Sequence, residues 1–347
     1  MGNSMEKNDD KKHRQNKILG NVIKWVLILG LLAFACLKNQ DFMREAIDEL
    51  HEIPVWMLVV CLILANLYFV AEGAIIGRMT STGEARISIA KGISCAYMCA
   101  FYRLATLGSG NGIAQLYYYN KNGIRVSEGT GMSIAQYTFQ KITIGIMGVM
   151  SFIGLLIFGE RELLDYAGYM FAGVIVISVI SIFLCMITVS KKISDLVMFI
   201  ARKLVKEKWK LYKKLDDAQN AIDNLQNQGR LIWKDKTLFL QVIILDVIKL
   251  NCWYVIPGIL FAGDYNVNVF VCTMLMAVCN MLGCVMIAPS GVGTLDFVFA
   301  VFFGRIIPDG EYVAAAIVIY RFFTWIVPFV IGLIPAAFLR KTNESHQ

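Results

Sequence analysis

The sequence is poor in proline, in histidine and in charge. Six prolines among 347 residues are too few for a Pro-rich linker protein, and long apolar runs exclude a disordered chain. Charged residues make up only 17% of the chain and hydrophobic residues 57%, whereas soluble domains have about 25% and about 45 to 50%. The excess of apolar side chains therefore predicts an all-α polytopic membrane protein that faces lipid.

Histidine and cysteine are not arranged for metal or redox chemistry. His13, His51 and His346 fall outside every apolar run, which removes imidazole from the membrane interior. The nine cysteines lie in apolar stretches without a CxxC pair, as expected of small buried side chains. The sequence also has no GxxxxGK[ST], HExxH or GxSxG motif. We therefore expect no metal, no cofactor and no catalytic residue in this chain.

Six apolar stretches are long enough to cross a bilayer, which takes about 20 residues. They are 18–37, 54–77, 131–158, 166–189, 238–261 and 312–338. Under the positive-inside rule the basic tail 1–17, the Lys- and Arg-rich segment 190–237 and the tail 341–347 are cytoplasmic. The transmembrane domain is then 18–340, and no polar segment is long enough to house a soluble catalytic domain.

The cytoplasmic segment 190–237 contains a run of basic residues. We interpret it as an amphipathic helix that lies on the membrane surface and is attracted to anionic lipid heads. RNA binding is the less favoured interpretation, because the positive-inside bias already explains the charge.

Two further apolar stretches, 87–107 and 268–288, do not fit as single crossings. If 87–107 crossed once, the basic N-terminus and the basic segment 190–237 would lie on opposite sides of the membrane. A return through 108–120, and a second return through 289–307, removes this conflict. Each return begins with a helix-breaking run: Gly108, Gly110 and Gly112 in the first, and Pro289, Gly291 and Gly293 in the second.

The eight apolar segments therefore predict about six full spans and two broken re-entrant hairpins. One hairpin opens to the cytoplasm and the other to the outside, as in an inverted repeat with its substrate site near the bilayer midplane. Irregular backbone at that depth is tolerated where it lines a wet cavity. A glycine kink or tight helix packing is the alternative explanation for each break.

Charged and amide side chains lie deep in the apolar stretches, where each charge costs about 2.5 to 3.5 kcal/mol. Arg103 and Arg321 are predicted to bind a lipid phosphate, because a guanidinium keeps its charge and binds phosphate as a fork. Around them we expect Asn111 and Gln115 to bind glycerol or sugar hydroxyls, and Asp296 or Glu72 to bind an amino group.

Three other charges are predicted to have structural or coupling roles. Asp246 and Lys249 are three residues apart on one helix face, which favours a mutually neutralising pair. Lys141 is the third. Simple structural packing remains the alternative for every member of the predicted headgroup site.

Four motifs carry a resemblance to a known family. TLGSGNGIAQLYYYNKNGI (Thr106 to Ile124), QYTFQKIT (Gln136 to Thr143), APSGVGTLDF (Ala288 to Phe297) and YRFFTWIVPFVIG (Tyr320 to Gly332) occur in this order. Together they resemble the lysylphosphatidylglycerol synthase transmembrane, or flippase-like, family over about 18 to 340. The chain departs from the usual pattern at Leu107, Asn111 and Asp296, which leaves the identity of the lipid open.

The resemblance implies a bacterial inner-membrane protein that translocates an anionic phospholipid, such as lysylphosphatidylglycerol, and contributes to resistance to cationic peptides. An alternative is a lysyltransferase family member or subunit that presents the acceptor lipid to a separate tRNA-dependent synthase. The expected partners are anionic phospholipids and, in the alternative, that aminoacyl-lipid synthase. Neither DNA nor tRNA contact is expected, and self-association into a homo-oligomer stays open.

Overall fold

The computed structural model describes residues 53–81, 85–106, 108, 110–159, 161–204, 210–263, 265–285 and 293–344. All regular structure in these residues is helical. The helices are α1 (Val55–Thr80), α2 (Ile89–Ala105), α3 (Asn111–Lys121), α4 (Val126–Phe158), α5 (Arg161–Leu164), α6 (Ala167–Val189), α7 (Lys191–Leu204), α8 (Lys210–Lys234), α9 (Lys236–Phe261), α10 (Val269–Val285), α11 (Thr294–Ile306), α12 (Gly310–Arg321) and α13 (Val327–Glu344). A π-helical segment, Phe322–Ile326, joins α12 to α13.

Five helical units are long and apolar enough to cross a membrane. They are α1, α4, α6, α9 and the continuous run Gly310–Phe338 of α12 and α13. Each corresponds to one of the stretches predicted from hydropathy, and the chain is a multi-pass membrane protein. The sixth predicted span, 18–37, and the tail 1–17 lie outside the described residues.

The two predicted hairpins correspond to pairs of short helices that pack against each other. α2 has 17 residues and α3 has 11, while α10 has 17 and α11 has 13. At about 1.5 Å per residue even the longer ones reach only about 26 Å, less than the hydrocarbon thickness of about 30 Å. Gly108 and Gly293 have φ of 90° and 86°, so each break contains a left-handed glycine. Pro289 and Gly291 lie outside the described residues.

Small residues bring the helices around the first break close together. α1 packs against α2 and α9, and α13 packs against α2. A Cβ added to Gly92 of α2 would overlap the carbonyl oxygen of Gly73 in α1, and one added to Gly332 of α13 would overlap that of Tyr97 in α2. These contacts fix the position of α2, and therefore of Arg103 near its end.

The segment 190–237 contains the helices α7 and α8. α8 packs against α4 and α6, where Leu225 and Ile232 are buried in one cluster with Phe139. The buried Gln226 side chain donates a 2.7 Å hydrogen bond to the carbonyl oxygen of Ile187. Leu225 and Ile232 of α8 are thus covered by protein, because α4 and α6 offer a matching apolar surface. Most side chains of the basic run behind the predicted surface helix lie outside the described part of the structure, so that interpretation stays a prediction.

Candidate functional site

A cavity of about 500 Å³ lies where the two broken segments meet the long helices. Gly108 contributes from the first break, and Gly283 and Thr294 contribute from either side of the second. The polar and aromatic lining residues are Tyr68, Arg103, Tyr137, Gln140, Lys141, Trp253, Asn280, Cys284, Tyr320, Arg321 and Trp325. The wall is therefore rich in hydrogen-bond donors although it is formed by membrane-embedded helices.

The two predicted arginines share one aromatic ring. The guanidinium carbon of Arg321 lies 4.4 Å from the centroid of the Trp325 ring, and that of Arg103 lies 5.7 Å from it. Both are within the range of a cation–π interaction. Trp325 belongs to the π-helical segment, a type of irregularity that recurs at functional sites. The structure thus brings together side chains that lie at the ends of two distant helices.

The arginines differ in how their charge is balanced. Arg321 Nε donates a 2.6 Å hydrogen bond to Asp296 Oδ1, while its buried Nη2 has no partner among the described residues. Arg103 has no carboxylate within 4 Å in the part of the chain that the structure describes. Arg321 therefore presents a free N–H donor, and Arg103 presents a charge that no described carboxylate balances.

Asp296 also serves the start of α11. Its Oδ2 accepts a 3.2 Å hydrogen bond from the Gly293 backbone N–H, while Oδ1 receives Arg321. A carboxylate at a helix N-terminus is stabilised by the helix dipole. Both oxygens of Asp296 are therefore engaged, so an amino group would have to compete with these contacts.

Lys141 adds a third positive charge to the cavity. Its Nζ lies 3.2 Å from Cys284 Sγ and 5.2 Å from the centroid of the Tyr137 ring. Among the described residues around the cavity, three cationic side chains thus face one carboxylate, that of Asp296. The local excess of positive charge favours an anionic ligand.

A second cluster of charges is buried behind the cavity wall. Lys249 Nζ lies 2.5 Å from Asp246 Oδ1 and 2.8 Å from Glu72 Oε2. The side chains of Lys249 and Asp246 are fully buried, and that of Glu72 is 20% exposed. The predicted pair is present, and Glu72 of α1 extends it to a triad.

Hydrogen bonds connect this triad to the helix after the first break. Gln136 Nε2 of α4 donates to Glu72 Oε1 at 2.7 Å. Gln115 Nε2 of α3 donates to Gln136 Oε1 at 2.8 Å and is 2.9 Å from Tyr119 Oη. Gln115 is therefore held in a partly buried chain of hydrogen bonds and is not among the residues that line the cavity.

Tyr68 separates the triad from the cavity. Its ring lines the cavity and stacks on Trp253 with centroids 3.7 Å apart. Lys249 Nζ lies 5.6 Å from the centroid of the Tyr68 ring. The triad and the cavity thus meet at a single aromatic layer.

Some predicted residues are not brought to the cavity. Asn111 and Gly112 are exposed at the start of α3 and are not among the lining residues. Gly110 is buried, and its backbone N–H donates to the Thr106 hydroxyl at 2.6 Å. The roles predicted for Asn111 and Gln115 stay predictions.

Three important residues were missed by the sequence reasoning. Trp325 could have been identified from its position four residues after Arg321, which places it one turn away along the helix. Gln136 lies inside a recognised motif but had received no role. No local sequence pattern marks Tyr68 as functional, since aromatic residues are common in membrane helices.

A family model described as lysylphosphatidylglycerol synthase TM region matches residues 21–332. The match includes both breaks, the cavity and the triad. A search of curated proteins gives no significant match.

Proposed function

Because the chain belongs to the lysylphosphatidylglycerol synthase TM region family, we propose that it binds the headgroup of an anionic phospholipid in the cavity and moves it between leaflets. The lipid is phosphatidylglycerol or its aminoacylated form, lysylphosphatidylglycerol, which keeps the anionic phosphate but has a net positive charge because of its two ammonium groups. The observation that carries the proposal is the pair of guanidiniums over Trp325, in a cavity whose cations outnumber its carboxylates.

The chemistry of the three cations fits a phosphate. Arg103 has an unpaired charge and Arg321 has a buried Nη2 without a partner in the described residues. Guanidinium donors bind phosphate oxygens in a fixed geometry, and Lys141, which also lines the cavity, adds a point charge. The neutral side chains Gln140 and Asn280, which also line the cavity, offer hydrogen bonds to glycerol hydroxyls.

The helix breaks support movement as well as binding. Both breaks reach the cavity, the first at Gly108 and the second at Gly283 and Thr294, and each break contains a glycine with positive φ. We propose that they form an inverted repeat, with one hairpin open to the cytoplasm and the other to the outside. Such a pair can expose one central site to either side in turn.

The proposed setting is the bacterial cytoplasmic membrane, with both termini inside. Moving an aminoacylated lipid to the outer leaflet would reduce its negative surface charge and so contribute to resistance to cationic peptides. In the alternative function, the cavity holds the acceptor lipid for a separate tRNA-dependent synthase.

The test uses purified protein in proteoliposomes that contain fluorescent phosphatidylglycerol. Arg103→Gln removes a charge without leaving a carboxylate unpaired among the described residues. Loss of a charge-assisted hydrogen bond costs about 1.5 to 3 kcal/mol, so the exchange rate at low lipid concentration should fall about 10- to 150-fold. The matched control is Arg202→Gln, because Arg202 is exposed on α7 and pairs with Asp216 at 3.0 Å.

The control should exchange lipid at the wild-type rate. Exchange that is equally fast in Arg103→Gln would refute the assigned role. Binding of phosphatidylglycerol without exchange by the wild-type protein would favour the alternative of lipid presentation to a synthase.

A further inference from the structure

The triad of Asp246, Lys249 and Glu72 contains two carboxylates and one ammonium. If both carboxylates are ionised, a net negative charge lies behind the cavity wall at membrane depth. An uncompensated charge in such a place costs several kcal/mol. One proton on either carboxyl group removes it, because the triad then holds one positive and one negative charge.

The hydrogen bonds indicate which carboxyl group takes the proton. Glu72 receives a donor on each oxygen, Gln136 on Oε1 at 2.7 Å and Lys249 on Oε2 at 2.8 Å. Asp246 has Lys249 Nζ 2.5 Å from Oδ1, while its fully buried Oδ2 has no hydrogen-bond partner among the described residues. Hydrogen bonds to the ionised form stabilise it, so Glu72 stays charged and Asp246 is the group that is neutralised.

We propose that Asp246 is a proton-binding site and that its proton crosses the membrane together with the anionic lipid headgroup. The inference rests on the proposed function and adds the energy source that the headgroup site alone does not supply. The step is a simple protonation: the Asp246 carboxylate, buried in this structure, takes up a proton when the site is open to the acidic side and releases it when the site is open to the alkaline side.

Electrostatics couples the two sites. Tyr68 lies between them and interacts with Lys249, Glu72 and Arg103. A phosphate in the cavity repels the deprotonated triad, since both are negative, and therefore favours the protonated one. By reciprocity the proton raises the affinity for the phosphate by the same factor.

The surroundings of Asp246 leave few other groups to titrate. Lys249 and Tyr254 of α9 and Glu72 and Tyr68 of α1 interact with it. The helices α4, α8, α10 and α12 also pack on α9, and Cys284 of α10 and Tyr320 of α12 interact with Tyr254. A pH response of the triad should therefore disappear when Asp246 is replaced.

The experiment measures how fluorescent phosphatidylglycerol distributes between the leaflets of proteoliposomes under an imposed pH difference, with the membrane potential clamped. One coupled proton gives about a tenfold leaflet ratio per pH unit, with the lipid accumulating on the alkaline side. Asp246→Asn, which mimics the protonated group, should distribute the lipid equally. Asp216→Asn on the exposed helix α8 is the control and should behave as the wild type.

Infrared spectroscopy of the protein in lipid nanodiscs tests the proton itself. The wild type should show the carbonyl band of a protonated carboxyl group, and Asp246→Asn should lack this band. Absence of the band in the wild type, or its persistence in Asp246→Asn, would overturn the assignment of the proton. An equal leaflet distribution in wild type that does exchange lipid would overturn the coupling and leave the proposed function intact. No exchange by wild type would refute both the proposed function and the coupling.

Discussion

Lys249→Met tests the buried triad most directly. Methionine keeps much of the length of the lysine stem and removes only the ammonium, whose Nζ lies 2.5 Å from Asp246 and 2.8 Å from Glu72. The substitution leaves two carboxylates without a cation among the described residues. Breaking a buried ion pair in this way costs about 3 to 5 kcal/mol, or about 10² to 10⁴ in the unfolding equilibrium.

The sign of the pH effect follows from the same charges. Protonation neutralises the carboxylates that have lost their partner, so the deficit of Lys249→Met should be largest near about pH 8 and shrink towards about pH 5. The assay is reversible unfolding in mixed micelles with a rising fraction of anionic detergent, followed by tryptophan fluorescence.

Two further variants complete the test: Lys141→Met is a control for the loss of a lysine from a membrane helix, and Glu72→Gln tests rescue. Lys141→Met removes a lysine that has no carboxylate within 4 Å among the described residues, and it should change the free energy of unfolding by no more than about 1 kcal/mol. Adding Glu72→Gln to Lys249→Met should restore more than half of the loss, because one unpaired charge is removed. A loss below about 1 kcal/mol in Lys249→Met at all pH values, or no rescue by Glu72→Gln, would refute the charge argument.

Two other predictions concern the aromatic ring at the cavity and the glycine contact between α13 and α2. Trp325→Leu removes the ring under both arginines. The affinity for short-chain phosphatidylglycerol should therefore fall about 2- to 30-fold in a titration, which corresponds to about 0.5 to 2 kcal/mol. Trp56→Leu, at an exposed tryptophan, is the control, and equal affinities in both variants would contradict the contact. Gly332→Val should lower the free energy of unfolding by about 1 to 3 kcal/mol, because its side chain overlaps the Tyr97 carbonyl. The control Gly304→Val enters open space, and an equal loss there would argue against helix contact as the cause.

Hydropathy was sufficient to locate the long helices. The stretches 54–77, 131–158 and 238–261 correspond to α1, α4 and α9 with ends shifted by a few residues. The short helices on either side of each break were also predictable, because glycine runs interrupt the apolar stretches. Helix packing was not: the burial of α8 against α4 depends on complementary surfaces that are far apart in sequence.

The charged sites were only partly predictable, because some of their contacts are local in sequence and others are not. The Asp246 and Lys249 pair follows from a spacing of three residues on one helix. Glu72 joins them from 174 residues earlier than Asp246, and its contact with Lys249 spans a separation of 177 positions, which no local pattern reveals. The π-helical segment that carries Trp325 was equally hidden, because its composition is that of an ordinary membrane helix.

The packing of α8 on α4 connects α8 with the buried triad. Near one end its Ala135 and Phe139 are packed under α8, and the intervening turn carries Gln136, which holds Glu72 by a hydrogen bond. A displacement of α8 would therefore act on the same turns of α4 that hold Glu72. A ligand or protein that displaced α8 would thereby disturb the Glu72 carboxylate through Gln136, without touching the triad itself.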